Sequence, residues 1–150
     1  MMRSISLLES FVVVVLLIVP AFAKTPEYLV KHLNRSPEGV YGGGFIVREV
    51  IHPKNDPVNP GFSTAYVILK PHSKTKPHRL LESSQVYFVI KGRAILHVAS
   101  KSIAVTPNTA IYIAPGVWQW AENPYDNDFV FLCIVSPPWS KNEEVVKGKH

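Results

Sequence analysis

The amino-acid sequence predicts one all-β domain, a sandwich or barrel of short strands. Its 150 residues suffice for a single domain and include thirteen prolines and eight glycines, a composition that favours turns over long helices. After Ser36, short apolar runs alternate with Gly, Pro and Asn turns, and no stretch keeps the period of an amphipathic helix. Hydrophobic residues make up 47% of the chain and charged residues 18%, which excludes an intrinsically disordered protein.

Residues 1–23 are the first element, which the sequence predicts to be a secretory signal peptide. Arg3 supplies a positive start, residues 11–19 are an uninterrupted apolar run, and an A-x-A pattern ends at Ala23. This order is typical of a signal peptide, and the run is shorter than the ~20 residues that span a membrane. We expect cleavage after Ala23 and a secreted or periplasmic protein with no membrane span in its mature form. An uncleaved N-terminal anchor is the alternative.

The second element is an N-terminal arm, residues 24–43, and the barrel follows over residues 44–138. Thr25 can cap a helix and Pro26 suits its first position, so a short helix is expected over residues 26–35. Eight strands are expected in the barrel, and the polar C-terminal tail, 139–150, is expected to be mobile. The expected strands cover residues 45–51, 62–69, 85–90, 94–98, 102–105, 110–113, 117–121 and 128–135.

Charge and cysteine content limit the partners and the kinds of site. The formal net charge of +5 is compatible with an anionic ligand but is too diffuse to indicate a nucleic-acid partner. Cys133 is the single cysteine, which rules out an intrachain disulfide and a zinc site made of several cysteines. It lies in the apolar run 129–135, so a buried, unreactive thiol is expected.

Two stretches of the chain resemble the two motifs of the cupin superfamily. The first motif, G-x5-H-x-H-x3,4-E-x6-G, is matched over residues 72–92, and the second, G-x5-P-x-G-x2-H-x3-N, over residues 108–123. The residues that keep the type required by the motifs are His78, Gly92, Gly116 and Asn123. The resemblance implies that the domain is a single-domain cupin jelly-roll β-barrel, with a metal or ligand pocket inside it.

The resemblance also implies where a metal would bind, because four side chains usually hold a divalent ion in this family. The matching positions here are His78, Leu80, Gln85 and Gln119. Leu80 has no donor atom, and a glutamine offers a neutral amide oxygen where the family has a carboxylate or an imidazole. A metal site would be reduced to His78, Gln85 and Gln119, a set that transition metals do not favour. We expect weak or no binding of a divalent metal ion, and no cofactor follows with certainty.

The same positions suit a hydrogen-bonding pocket, since an amide supplies two donors and an acceptor. Strand alternation places Tyr87 on the face of Gln85, and Asn123 on the face of Gln119. Trp118 and Trp120 then point to the opposite face. The expected ligand pocket comprises His78, Gln85, Tyr87, Gln119 and Asn123. Ordinary barrel core is the alternative interpretation of the inward side chains.

Three functions follow as hypotheses. The first is an exported cupin that binds a small polar or anionic molecule in its barrel. The second is a metal-dependent cupin enzyme, of the isomerase, lyase or dioxygenase type, that uses His78 with atypical ligands. The third is a dimeric structural or interaction protein, because the resemblance implies pairing through sheet edges. A homodimer is expected, since the outward Trp118 and Trp120 form an apolar patch that suits a partner. The sequence names no substrate and leaves catalysis open.

Overall fold

The structure is a computed structural model that describes residues 25–36, 38–41 and 45–148. The predicted signal peptide, residues 1–23, lies outside the described residues. Twelve strands run through the described part of the chain. Their bounds are β1 Glu38–Tyr41, β2 Phe45–Ile51, β3 Ser63–Leu69, β4 Ser73–Lys74, β5 His78–Leu80, β6 Ser84–Lys91, β7 Ala94–Val98, β8 Lys101–Val105, β9 Ala110–Ile113, β10 Gln119–Asn123, β11 Phe129–Ser136 and β12 Glu144–Val146.

The strands form two antiparallel sheets that face each other. One sheet has the order β1-β2-β3-β11-β6-β9, and the other has the order β12-β5-β10-β7-β8, with β4 also paired to β10. Strands distant in sequence are neighbours in both sheets, as β3 beside β11 and β10 beside β7 show. The fold class is confirmed: the domain is an all-β jelly-roll barrel.

The barrel interior is filled where the inward faces of the two sheets meet. Strand alternation decides which side chains enter it, and fully buried examples are Leu69, Val89, Leu96 and Phe129. The ring of Phe131 lies 5.1 Å from that of Phe129, centroid to centroid.

The N-terminal arm does not contain the helix predicted over residues 26–35. A single 3-10 turn at Leu33–Arg35 is its helical part within residues 25–36. The Lys31 ammonium lies 2.8 Å from the Asp56 carboxylate, and Asp56 also accepts the His52 backbone N–H. A helix this short is marginal by itself, so the ion pair to the 52–56 loop decides the path of the arm.

The C-terminal segment is also more ordered than the mobile tail predicted over residues 139–150. β12 pairs antiparallel with β5 at the edge of the second sheet. The Glu143 carboxylate accepts hydrogen bonds from the Ser83 backbone N–H at 3.0 Å and the Ser83 hydroxyl at 2.7 Å. These contacts hold the chain beside β5. Both strands have only three residues, which is too short for a clear alternating pattern in the sequence. No helix in the described ranges is long and apolar enough to cross a membrane.

Candidate functional site

Polar side chains from five strands gather at one end of the barrel interior, which we call the polar end. Its members come from β5, β6, β10, β11 and β12. They are His78, Gln85, Tyr87, Gln119, Cys133 and Glu144. The sequence predicted four of these residues as pocket residues, and it predicted Cys133 as a buried thiol.

Two glutamines join the sheets across the polar end. Gln85 is 6% exposed and Gln119 is 2% exposed, and the Gln119 amide Nε2 donates to Gln85 Oε1 at 3.1 Å. Tyr87 and Val89 are buried on the face of Gln85, and Ala121 is buried on that of Gln119. The predicted inward alternation of β6 and β10 is therefore confirmed.

The Gln85 amide also interacts with the Tyr87 hydroxyl and the Cys133 thiol. Burial raises the pKa of Tyr87 above its ordinary value, as does the neighbouring Cys133, while a hydrogen bond from Gln85 works to lower it. Burial raises the pKa of Cys133 to about 12, and Gln85 again opposes the shift. In its contact with Gln119 the Gln85 amide uses Oε1 as the acceptor, so its NH2 group is the part of the amide that is left to donate.

The contact between the two glutamines does not use the Gln119 side-chain carbonyl oxygen. Oε1 of Gln119 is buried and has no hydrogen-bond partner among the described residues. Buried polar atoms are nearly always paired, and leaving one unpaired costs about 1–3 kcal/mol. The polar end therefore presents a free acceptor to whatever enters it.

His78 presents a second acceptor beside the first. It is the direct antiparallel partner of Gln119 in the β5–β10 ladder, so the two side chains share a face. Its Nδ1 lies 3.0 Å from the Lys76 carbonyl oxygen, and a carbonyl can only accept, so Nδ1 carries the proton of the neutral ring. Nε2 then holds a lone pair, and no hydrogen bond occupies it in the described part of the chain.

Glu144 is the member of the polar end that sequence reasoning missed. In the β5–β12 ladder Glu144 is opposite Leu80, and Val146 is opposite His78, so Glu144 shares the inward face of Leu80, which is buried. The negative charge of Glu144 contributes to the raised pKa of both Tyr87 and Cys133. The one sequence signal for this strand was the short Val145–Val146 pair that follows Glu144.

The residues of the polar end do not fit a metal of the usual family type. Leu80 fills one ligand position with an apolar side chain, and Gln85 uses its oxygen to accept from Gln119. Within the described ranges, no group of three or more His, Cys, Asp or Glu side chains could hold a metal ion. His78 is the single imidazole among the four matched positions, and one imidazole is a poor basis for a transition-metal site.

Asn123, predicted as a pocket residue, braces the loop after β10. Its Nδ2 donates to the backbone carbonyls of Leu69, Lys70 and Asn127, and its Oδ1 accepts the Tyr125 backbone N–H at 3.2 Å. The side chain is fully buried. Asn123 thus shares the inward face of β10, but its polar atoms hold the turn between β10 and β11.

Trp120 lies on the outward face of β10, as the alternation predicted, and Trp118 directly precedes that strand. The Arg79 guanidinium lies 5.0 Å from the Trp118 ring centroid. The His97 ring stacks on Trp120 with centroids 4.4 Å apart. Both aromatic faces therefore have a partner from their own chain.

Two surface clefts are separate from the polar end. One of about 230 Å³ lies between the β5–β6 turn and the segment before β12, where Ser83 and Glu143 line it. The other, of about 290 Å³, is lined by residues that include His72 and Glu122. Neither of these clefts is lined by Gln119 or His78.

Comparison with known proteins supports the family resemblance. The family model described as a cupin domain matches residues 65–135. An uncharacterized protein of Methanocaldococcus jannaschii is 30% identical over 102 residues, which cover 67% of this chain and 79% of that protein. The crystal structure of a predicted oxalate decarboxylase from Thermotoga maritima has a TM-score of 0.65 at 16% identity, covering 73% of this chain and 99% of that chain. The Streptomyces nucleoside dehydratase Pac13 has a TM-score of 0.65 at 13% identity, covering 79% of this chain and 90% of that chain.

Proposed function

Because the chain belongs to the cupin superfamily, we propose that it is an exported single-domain cupin that binds a small polar molecule at the polar end of its barrel. One observation carries the proposal. Gln119 is 2% exposed and keeps a carbonyl oxygen without a partner among the described residues. A ligand that donates a hydrogen bond to this atom would remove the cost of about 1–3 kcal/mol that the free protein bears.

The chemistry of the polar end favours a ligand that donates hydrogen bonds. The Gln119 Oε1 atom and the His78 Nε2 lone pair are both acceptors on one face of the second sheet. Glu144 adds a carboxylate on the same face. Of the two ligand classes that the sequence predicted, the polar molecule is therefore favoured over the anionic one, because an anion would be repelled.

Thermal unfolding in the presence of small polar molecules tests the proposal. A ligand at 100 times its Kd stabilises the folded protein by about 2.7 kcal/mol, which is a shift of several degrees in Tm. We expect the shift to disappear in Gln119→Leu and in His78→Ala. The control is His72→Ala, because His72 lies on an exposed loop, paired with Asp126. A compound that stabilises all four proteins equally, or a panel without a single stabilising compound, would contradict the proposal.

A metal-dependent enzyme is the second candidate, and one observation favours it. A metal-binding histidine usually donates its other ring N–H to a carbonyl or carboxylate, and His78 has this arrangement with Lys76. Two structural neighbours are also described as enzymes, a predicted oxalate decarboxylase and a nucleoside dehydratase. The metal-dependent enzyme is disfavoured by the residues at the other three matched positions, which are Leu80, Gln85 and Gln119.

Calorimetric titration with zinc and nickel decides between the two candidates. We expect weak or no binding by the natural protein. The triple variant Leu80→His/Gln85→Glu/Gln119→His restores the family pattern around His78 and serves as the positive control, with affinity that rises with pH as the histidines lose their protons. Stoichiometric, sub-micromolar binding by the natural protein that is lost in His78→Ala would promote the enzyme to first place.

A further inference from the structure

The C-terminal strand brings a negative charge to the polar end, and this charge has a consequence for the ligand. We infer that the polar end selects a small organic cation, a molecule with an ammonium group, and that Glu144 is the residue that recognises its charge. The inference rests on the proposed function, since it names the ligand class of the same site. It assigns a binding role to a strand that lies outside both family motifs.

The position of Glu144 is set by backbone pairing. β12 pairs with β5 through Glu144 opposite Leu80 and Val146 opposite His78, and the Lys147 backbone N–H donates to the Pro77 carbonyl at 2.9 Å just beyond the ladder. Directly opposed residues of neighbouring strands point to the same face. Because Leu80 is buried inside the barrel, the Glu144 side chain starts on the inner face.

The Glu144 carboxylate has no hydrogen-bond or ion-pair partner among the described residues. No hydrogen bond or ion pair joins it to another residue in the ranges that the structure describes. Most other carboxylates of these ranges are paired with a cation, a histidine or a hydroxyl. The paired ones are Glu49, Asp56, Glu122, Asp126, Asp128 and Glu143. A half-buried carboxylate without a counter-ion attracts a cation from solution.

Arg79, the basic residue of β5, does not neutralise the charge of Glu144. Arg79 alternates with His78 and Leu80, so it leaves the opposite face of the strand. Its guanidinium lies 5.0 Å from the Trp118 ring on the outer surface of the barrel. The inner face of the β10–β5–β12 ladder therefore carries an amide oxygen, an imidazole lone pair and a carboxylate, and none of its described residues has a cationic side chain.

These three groups match one ligand chemistry. An ammonium group carries one positive charge and several N–H donors, and it can donate to Gln119 Oε1 and His78 Nε2 while it faces Glu144. The influence of Glu144 on the titration of Tyr87 and Cys133 places its charge close to the interior as well. A divalent metal would be attracted by the same carboxylate, and it is separated from an organic cation by the test below.

The test compares probes of similar size that carry a positive charge, no charge or a negative charge. One set is glucosamine, glucose and glucuronate, and the other is ethanolamine, ethylene glycol and glycolate. Binding to the natural mature protein is measured by calorimetry and by the NMR shifts of the Gln119 side-chain amide. We expect the cationic member of at least one set to bind at least about tenfold more tightly than its neutral partner, which is about 1.4 kcal/mol, and the anionic member to bind least.

Two variants with the same charge change make the result specific to Glu144. Glu144→Gln should remove the preference for the cation and keep the binding of the neutral probe. Glu82→Gln, in the exposed turn before β6, should keep the preference. If Glu144→Gln fails to fold, the salt dependence of the natural protein replaces it, because the preference for the cation should shrink as salt screens the charge.

The outcomes separate the inference from the proposed function. Equal binding of cationic and neutral probes, or a preference that survives Glu144→Gln, overturns the inference and leaves the proposed function standing. No binding of any probe, with no change of the Gln119 amide signal, overturns both. Tight binding of zinc or nickel that is lost in Glu144→Gln and His78→Ala shows a metal site and overturns the organic cation.

Discussion

A methyl group at Gly92 tests how tightly the turn between β6 and β7 is packed. Gly92 has a φ of +79°, and a Cβ there would collide with the Asp128 carbonyl oxygen and lie 3.1 Å from Phe129 Cα. Both obstructing atoms are backbone, at the entry to β11, so they cannot move without the strand. The change Gly92→Ala should therefore disturb the strand that carries Phe131 and Cys133 into the interior.

The magnitude follows from three contributions. An L-residue in the left-handed region costs about 1–2 kcal/mol, and the stiffer unfolded chain of the alanine variant returns about 0.4–1 kcal/mol. Moving packed backbone to make room adds about 1–3 kcal/mol. We expect Gly92→Ala to lower the free energy of unfolding by about 2–4 kcal/mol, a large part of the stability of a domain of this size.

Urea unfolding followed by tryptophan fluorescence measures this change, and Gly61→Ala is the matched control. Gly61 has nearly the same φ, +80°, but a Cβ there meets no atom within 4 Å. Gly61→Ala should therefore cost only about 1 kcal/mol or less, since the contact with Asp128 is missing. If the two variants lose the same stability within about 0.5 kcal/mol, the close approach of Asp128 is not what requires a glycine at position 92.

Four further predictions concern other parts of the chain. Burial, and then the charge of Glu144, raises the pKa of the Cys133 thiol to about 12 from its ordinary value of 9.0. Cys133 is half-buried, and at pH 8 its raised pKa should make it react with a thiol reagent much more slowly than free cysteine does; labelling as fast as that of free cysteine would contradict the raised pKa. Burial raises the pKa of Asp56. This effect is outweighed by the hydrogen bond from Lys31, the hydrogen bond from the His52 backbone N–H and the charge of Lys31, so the pKa of Asp56 lies below 3.8. This stabilisation is present above about pH 3.8 and is lost as the pH falls through the folded-state pKa. Asp56→Asn should thus cost about 1–3 kcal/mol at pH 7, and an equal loss at pH 2.5 would refute the assignment. Intact-mass measurement of the exported protein should show the chain without residues 1–23, whereas a membrane-bound protein that retains them would contradict export. Light scattering should show a homodimer, near 28 kDa for a mature chain of roughly 14 kDa, and a clean monomer would refute the predicted pairing.

The sequence alone was sufficient where a local pattern decides the structure. The period of two along β6 placed Gln85, Tyr87 and Val89 on the inner face, and the structure buries all three. The predicted strand ranges also lie close to the observed ones, because apolar runs bounded by Gly, Pro and Asn depend on neighbours in the chain. The two motifs likewise identified His78 and Gln119 before the structure showed them side by side.

Local pattern failed where a distant contact decides the structure. The helix predicted over residues 26–35 gives way to an arm held by the Lys31–Asp56 ion pair. Asn123 matches its motif position, yet the loop between β10 and β11 occupies its polar atoms. In both cases a tertiary partner overrides the preference that the residue has by itself.

The sequence determined the jelly-roll barrel, the inward faces of its strands and the loss of the usual metal ligands, because each depends on residue type at a local spacing. The tertiary structure alone decided which atoms at the polar end stay free. The Gln119 oxygen is unpaired among the described residues because Gln119 contacts Gln85 through its Nε2 donor and no other donor reaches its Oε1. Glu144 joins the site because β12 pairs with β5, a contact between segments more than sixty residues apart, and no local pattern reports such a pairing.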